Sequence, residues 1–274
     1  MNRVSLFLSV AALAAGALTA FSQTRPAAPA RGGRGGGGGA RIPMTEPADE
    51  GMVRVDQGWS ARHTANLARA QQGDVDLYLL GDSITDNWGS GNFRDSYARY
   101  FSGWKTADFG IGGDRTEHVL WRISHGELDG NLHPKVIMLQ IGTNNLPRTQ
   151  YNYAADTPEQ TAAGVKAILD VIQQKQPQAK VLLVAVFPRD NPGDAAFGVP
   201  EKVKALNPLI AKLPDGTRVK FLDIHDQFLD ANGKLKPGVM QPDNLHPTAA
   251  GYDIWGTAIT PILTEWLGAP KPQN

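Results

Sequence analysis

With 274 residues, of which 41% are hydrophobic and 20% charged, the chain can form one large globular domain or two small ones, and this balance excludes a fibre or a chain disordered throughout. Its 27 basic and 27 acidic residues cancel, but five arginines (Arg3, Arg25, Arg31, Arg34 and Arg41) precede the first acid, Glu46; the remainder carries 22 basic against 27 acidic residues, a balance of −5, with no overall attraction for nucleic acid. Cysteine is absent, which excludes disulfides and thiol catalysis.

In chain order, Arg3 is followed by an apolar run to Phe21 and by Ala20 and Ser22 in an A-x-S pattern. This predicts a secretory signal peptide over 1–22, cut before Gln23, and hence a secreted or periplasmic protein without a lipid or stable membrane anchor. The run is nearly long enough to span a bilayer, so an uncleaved anchor is the alternative. Residues 23–48, rich in Gly, Pro, Ala and Arg, contain too little apolar surface to offset ordering entropy and are read as a flexible tether. Their Arg-Gly repeats leave contact with RNA or anionic surfaces as a second possibility. A globular domain is expected over 49–268, with a short tail over 269–274.

Within that domain five runs alternate with amphipathic segments: VDLYLLG, WKTADFG, KVIMLQIG, KVLLVAVF and RVKFLDI. The segment TPEQTAAGVKAILDVIQQKQ begins with Thr157 as N-cap, Pro158 at the first helical position and Gln160 completing a capping box. Its Val165, Ile168, Leu169 and Ile172 fall on one face, as a helix lying on a sheet requires. Strand followed by helix, repeated, predicts an α/β fold with a parallel sheet. In such sheets ligands bind beyond the carboxyl ends of the strands. Four stretches occupy that position: GDSIT, GIGGDR, IGTNN and DNLHPTAAGY.

A serine hydroxyl needs an adjacent base, a group that orients the base, and donors for the developing oxyanion. Ser83 supplies the hydroxyl, His246 is the candidate base, and Asp243 can curl back within one turn to fix the imidazole tautomer. The candidate oxyanion donors are the N–H groups of Ser83 and Gly113 and the side-chain amide of Asn144, from three different post-strand loops.

With GDSIT, FGIGGDRTEHVLWR, GTNN, IQQKQPQAKVLLVAVFPR and DNLHPTAAGY in that order, the chain resembles the SGNH (GDSL-type) hydrolases, and among them the α-subunits of intracellular platelet-activating-factor acetylhydrolase. The resemblance runs from about Gly73 to Leu267. It implies a three-layer α/β/α domain with a five-stranded, flavodoxin-like parallel sheet. It also implies a Ser83–His246–Asp243 triad, an oxyanion hole from Ser83, Gly113 and Asn144, and no cofactor or metal. Two residues depart from the pattern: Ile84 stands where Leu is usual, and Arg115 where a small polar residue is expected, placing Arg115 at the pocket rim. The export signal departs too, since those subunits are intracellular.

Competing readings remain at single residues. Ser83 and Asn144-Asn145 suit turns; Asp82 would serve a metallophosphoesterase, although no further cluster of ligands accompanies it. His118 is expected to pack or cap, His63, His125 and His133 to lie at the surface or at element boundaries, and His225 is the rival base. The expected function is a secreted serine esterase acting on small acyl esters, chiefly acetyl, of carbohydrates. The alternatives are a lipid-ester hydrolase, a non-catalytic binding protein on the same scaffold, and a metal-dependent phosphoesterase. The expected partner is a small-molecule or glycan ester, not nucleic acid.

Overall fold

The computed structural model describes residues 47–54, 56–148 and 153–272. The expected signal peptide and nearly all of the expected tether lie outside the described residues. Each of the five apolar runs contains a strand: β1 Leu77–Gly81, β2 Thr106–Asp108, β3 Val136–Gln140, β4 Lys180–Val184 and β5 Val219–Leu222. Every pairing is parallel and the order is β2-β1-β3-β4-β5. The chain is therefore an α/β protein with the expected flavodoxin-like sheet, and winding reverses between β1 and β3, where a crevice opens at the strand ends.

The helices are α1 Gln57–Gln71, α2 Ser83–Asp86, α3 Arg94–Phe101, α4 Thr116–Arg122, α5 Pro158–Lys175, α6 Val199–Ile210 and α7 Ala249–Leu267. Because β1, β3 and β4 are covered on both faces, their side chains divide between two cores rather than alternating core with solvent. Leu79, Met138 and Leu182 pack toward Phe101 of α3 and Trp255 and Ile259 of α7. Leu80, Leu139 and Leu183 pack toward Val119 of α4, Ile168 of α5 and Val203 of α6.

Helix α5 begins as its sequence dictates. The Thr157 hydroxyl accepts from Gln160 N, the Gln160 side chain accepts from Thr157 N, and Val165, Ile168, Leu169 and Ile172 are buried. Gly164 on this helix faces the Ala48 carbonyl and the Thr116 hydroxyl so closely that a Cβ would clash with both. Ala48, assigned to the tether by composition, is itself buried and accepts from Thr116 Oγ1 at 2.9 Å.

One histidine differs from expectation. His63 of α1 is buried, with Nδ1 2.8 Å from Glu127 Oε1 and its ring stacked on Trp59. A polar residue on an amphipathic helix reads as surface until the buried acid that faces it is known.

Candidate active site

The position of Ser83, the candidate nucleophile, is set by the end of β1. A Cβ on Gly81 would run into the Thr85 hydroxyl and the Gln140 carbonyl, so only glycine lets the chain turn here. Asp82 then caps α2, its Oδ1 accepting from Ile84 N at 2.9 Å. Ser83 opens the helix, which leaves its N–H without an intrahelical acceptor.

Asp243 and His246 meet in the turn that precedes α7. Asp243 Oδ1 accepts from the backbone of Leu245 and His246, both at 3.0 Å, and Oδ2 lies 2.6 Å from His246 Nδ1. The side chain thus builds its own turn and delivers the imidazole to its second oxygen. Burial of Asp243 disfavours its charge, but the imidazole and the two N–H groups outweigh it and hold the carboxyl below its ordinary range. His246 Nε2 lies 2.9 Å from Ser83 Oγ. With Nδ1–H donated to the carboxylate, Nε2 is the free acceptor facing the hydroxyl. The imidazole and carboxylate side chains are 22% and 38% exposed, so the site opens to solvent.

The second loop lies against Ser83: a Cβ at Gly112 would stand 3.6 Å from that of Ser83. Gly113 follows with φ 80°, and its N–H makes no hydrogen bond among the described residues. Asn144 donates one amide proton to Asp114 O at 2.9 Å, which ties it to the same turn and leaves its second proton free. The five predicted residues therefore lie at the ends of β1, β2 and β3 and in the turn before α7.

Several residues that hold this constellation were not singled out from sequence. Asp86 Oδ2 accepts from Gly112 N at 3.2 Å, and Arg62 of α1 grips both Asp86, at 2.6 Å, and the Gly110 carbonyl, at 3.0 Å. Arg54 donates to the Gly112 carbonyl at 2.7 Å. Below the turn, the Asp114 carboxylate accepts from Trp59 Nε1 at 2.7 Å and from Arg122 Nε at 2.8 Å. Its burial raises its pKa to about 6 despite Arg122 and Arg54.

On the other side, Arg189, only 5% exposed, makes a fork to Asp194 at 2.7 and 2.8 Å and donates to the carbonyl and hydroxyl of Thr143, both at 3.0 Å. Asp194 accepts from Asn191 N at 2.9 Å, and Asn191 Nδ2 donates to the Asp243 carbonyl at 2.9 Å. One guanidinium thus connects the Asn144 loop to the Asp243 turn. Arg189 and Asn191 follow β4, so their post-strand position was the available signal. Nothing in the pattern of α1 marks Arg62.

Arg115 requires a correction. It is 2% exposed and does not reach the pocket rim. Its guanidinium pairs with Glu117, donates to Asp156 Oδ2 at 2.7 Å and to the Ala154 carbonyl at 2.8 Å, and so anchors chain segments behind the site. Asn145 also turns inward, donating to Asp156 Oδ2 at 2.8 Å, while Asn144 faces the turn at Asp114.

His118 packs and caps as expected: its Nδ1 accepts from Arg115 N at 3.1 Å, and burial pushes its pKa far down, leaving it neutral. His225 sits elsewhere, with Nδ1 3.4 Å from the Val186 carbonyl, whereas His246 lies beside Ser83. No cluster of three or more His, Cys, Asp or Glu among the described residues could hold a metal ion. No helix among them is long and apolar enough to cross a membrane.

A model of the GDSL-like lipase/acylhydrolase family matches residues 79–254. The chain belongs to that family. This GDSL acylhydrolase is 30% identical over 233 residues to platelet-activating factor acetylhydrolase IB subunit alpha1 of Homo sapiens, covering 85% of the chain and 94% of the relative. It is 33% identical over 201 residues to subunit alpha2 of Rattus norvegicus, covering 73% and 81%. A GDSL-like lipase structure from Bacteroides thetaiotaomicron superposes with TM-score 0.60 at 22% identity, over 75% of the chain and 97% of that structure. An acetyl-xylooligosaccharide esterase from Geobacillus superposes with TM-score 0.53 at 16% identity, over 74% and 100%. These two share the fold. Family membership makes the GDSL acylhydrolase a carboxylic ester hydrolase.

Proposed function

We propose that this ester hydrolase is a serine esterase that removes small acyl groups, chiefly acetyl, from carbohydrates through an acyl-enzyme on a Ser83–His246–Asp243 triad. The observation that carries the reading is the unbroken relay from Asp243 Oδ2 through His246, 2.6 Å at one nitrogen and 2.9 Å at the other, to Ser83 Oγ. His246 Nε2 takes the hydroxyl proton as Oγ attacks the ester carbonyl. The oxyanion receives the N–H groups of Ser83 and Gly113 and the free amide proton of Asn144. The imidazolium then protonates the leaving alcohol, and the same nitrogen activates water to release the acid and restore Ser83. Asp243 holds the tautomer throughout.

The acetyl preference draws support from relatives named acetylhydrolases. The carbohydrate assignment draws support from the signal peptide expected over 1–22, which would bring the domain over 49–268 to extracellular or periplasmic polysaccharide. A lipid ester is the second reading, because the same relatives are named for platelet-activating factor. A sulfonyl fluoride should label Ser83 stoichiometrically and abolish ester hydrolysis, with activity unaffected by EDTA. Label elsewhere together with an active Ser83→Ala, or loss on chelation with rescue by a divalent ion, refutes the triad.

A further inference from the structure

A cavity of about 500 Å³ opens beside the Asp243 turn, between α6 and the chain around Leu229–Leu235. Its walls include the apolar faces of Pro188, Pro200, Leu229 and Leu235, and His225 contributes to the lining. Lys204 on α6 and Lys234 on the facing turn also line it. Neither ammonium hydrogen-bonds to or forms a close ion pair with a described residue, and the acid whose charge Lys234 favours is Asp230, outside the lining. The Arg189 guanidinium at the same wall is already neutralised by Asp194, so on the lining the two amines face one acid, Asp190, an excess of one positive charge. Apolar walls with a few convergent charged groups are the usual make-up of a small-molecule site.

The cavity touches the proposed catalytic turn through Asn244. That residue has φ 52°, its N–H bonds to the Gln241 carbonyl at 2.9 Å, and its carbonyl accepts from Asp190 N at 3.0 Å. It lies next to Asp243 and two residues from His246, within a turn whose ends are less than about 7 Å apart. The wall therefore adjoins the turn that carries Asp243 and His246.

We propose that this cavity is a subsite for an anionic group carried by the ester substrate, bound by Lys204 and Lys234 while the ester lies at Ser83. The proposal rests on the triad reading and narrows its substrate class to esters bearing a carboxylate or phosphate. A uronate in an acidic glycan and the phosphate of a glycerophospholipid present the same chemistry.

The test compares wild type, Lys204→Ala/Lys234→Ala and Ser83→Ala on two matched pairs. One pair is acetylated xylo-oligosaccharide with and without a glucuronic acid branch. The other is an alkyl-acetyl-glycerophosphate and its neutral alkyl-acetyl-glycerol. Wild type should favour the anionic member of at least one pair, and that pair names the source. The double lysine variant should raise KM for that member about tenfold with kcat within twofold, leave both neutral esters within twofold, and lose its difference from wild type in high salt. Equal treatment of both members of each pair by wild type, or equal loss on neutral and anionic esters in the lysine variant, overturns the subsite. An active Ser83→Ala overturns the triad instead.

Discussion

Replacing Arg189 by lysine keeps the positive charge and removes the fork. The guanidinium makes four hydrogen bonds from a nearly sealed position, two to the Asp194 carboxylate and two to Thr143. An ammonium on a shorter, single-point head can keep at best one on each side. Losing one bond to a charged group, about 1.5–3 kcal/mol, and one to a neutral group, about 0.5–1.5 kcal/mol, predicts a stability loss of about 2–4 kcal/mol. Urea unfolding should show this as a lower midpoint with unchanged slope. The same loss slackens both the Asn144 loop and, through Asp194 and Asn191, the Asp243 turn. Turnover per titrated active site should therefore fall about tenfold with KM within twofold. Combined with Asn144→Ala, the lysine variant should lose less than the product of the two single effects, because both act on one donor. Stability within about 0.5 kcal/mol of wild type together with unchanged turnover would show that Arg189 only fills space.

Asn144→Asp keeps size but replaces the amide donor by a carboxylate; Asn144→Ala should lower turnover by about 3–4 kcal/mol equivalent, and Asp should be worse at neutral pH because its charge faces the oxyanion. Turnover within twofold of wild type would make that block a turn only. Asp82 is buried with Oδ2 unpartnered among the described residues, and burial raises its pKa to about 7. The folded state thus keeps a proton that the unfolded chain releases near pH 4, and its contribution to stability falls as pH rises from about 4 to about 7. Asp82→Asn preserves the cap to Ile84 and should match wild type near pH 4 while exceeding it by on the order of 2–4 kcal/mol at pH 8; a difference that does not vary with pH would refute this. His246→Ala should remove nearly all activity while His225→Ala is mild; the reverse would overturn the base assignment.

The sheet was legible because short, largely apolar runs alternate with amphipathic ones, and because helix α5 announces its own start at Thr157, Pro158 and Gln160. The positions of Ser83, Gly113 and Asn144 were legible because each closely follows a strand, and those of Asp243 and His246 because Asp243 reaches His246 through a local turn before α7. Arg62, Arg54 and Arg122 were not legible, since each acts across 8 or more residues on a backbone carbonyl or a buried acid. Local sequence carries no record of which carbonyl a long side chain will find. Arg115 shows the same limit in reverse: judged by its neighbours it belongs at a rim, and only the distant Asp156 and Ala154 explain why it is inside.

The family match begins at residue 79, yet three side chains upstream of it, Arg54, Trp59 and Arg62, hold the turn that carries Gly112 and Gly113. A chain begun at Gly73 would retain all five residues of the proposed site and lose the clamp on the loop beside them. The family model and the side chains that support the candidate site therefore have different starting points in this protein. Substitution of Arg62 in the first helix, outside the family-model match, is expected to lower turnover by loosening that turn.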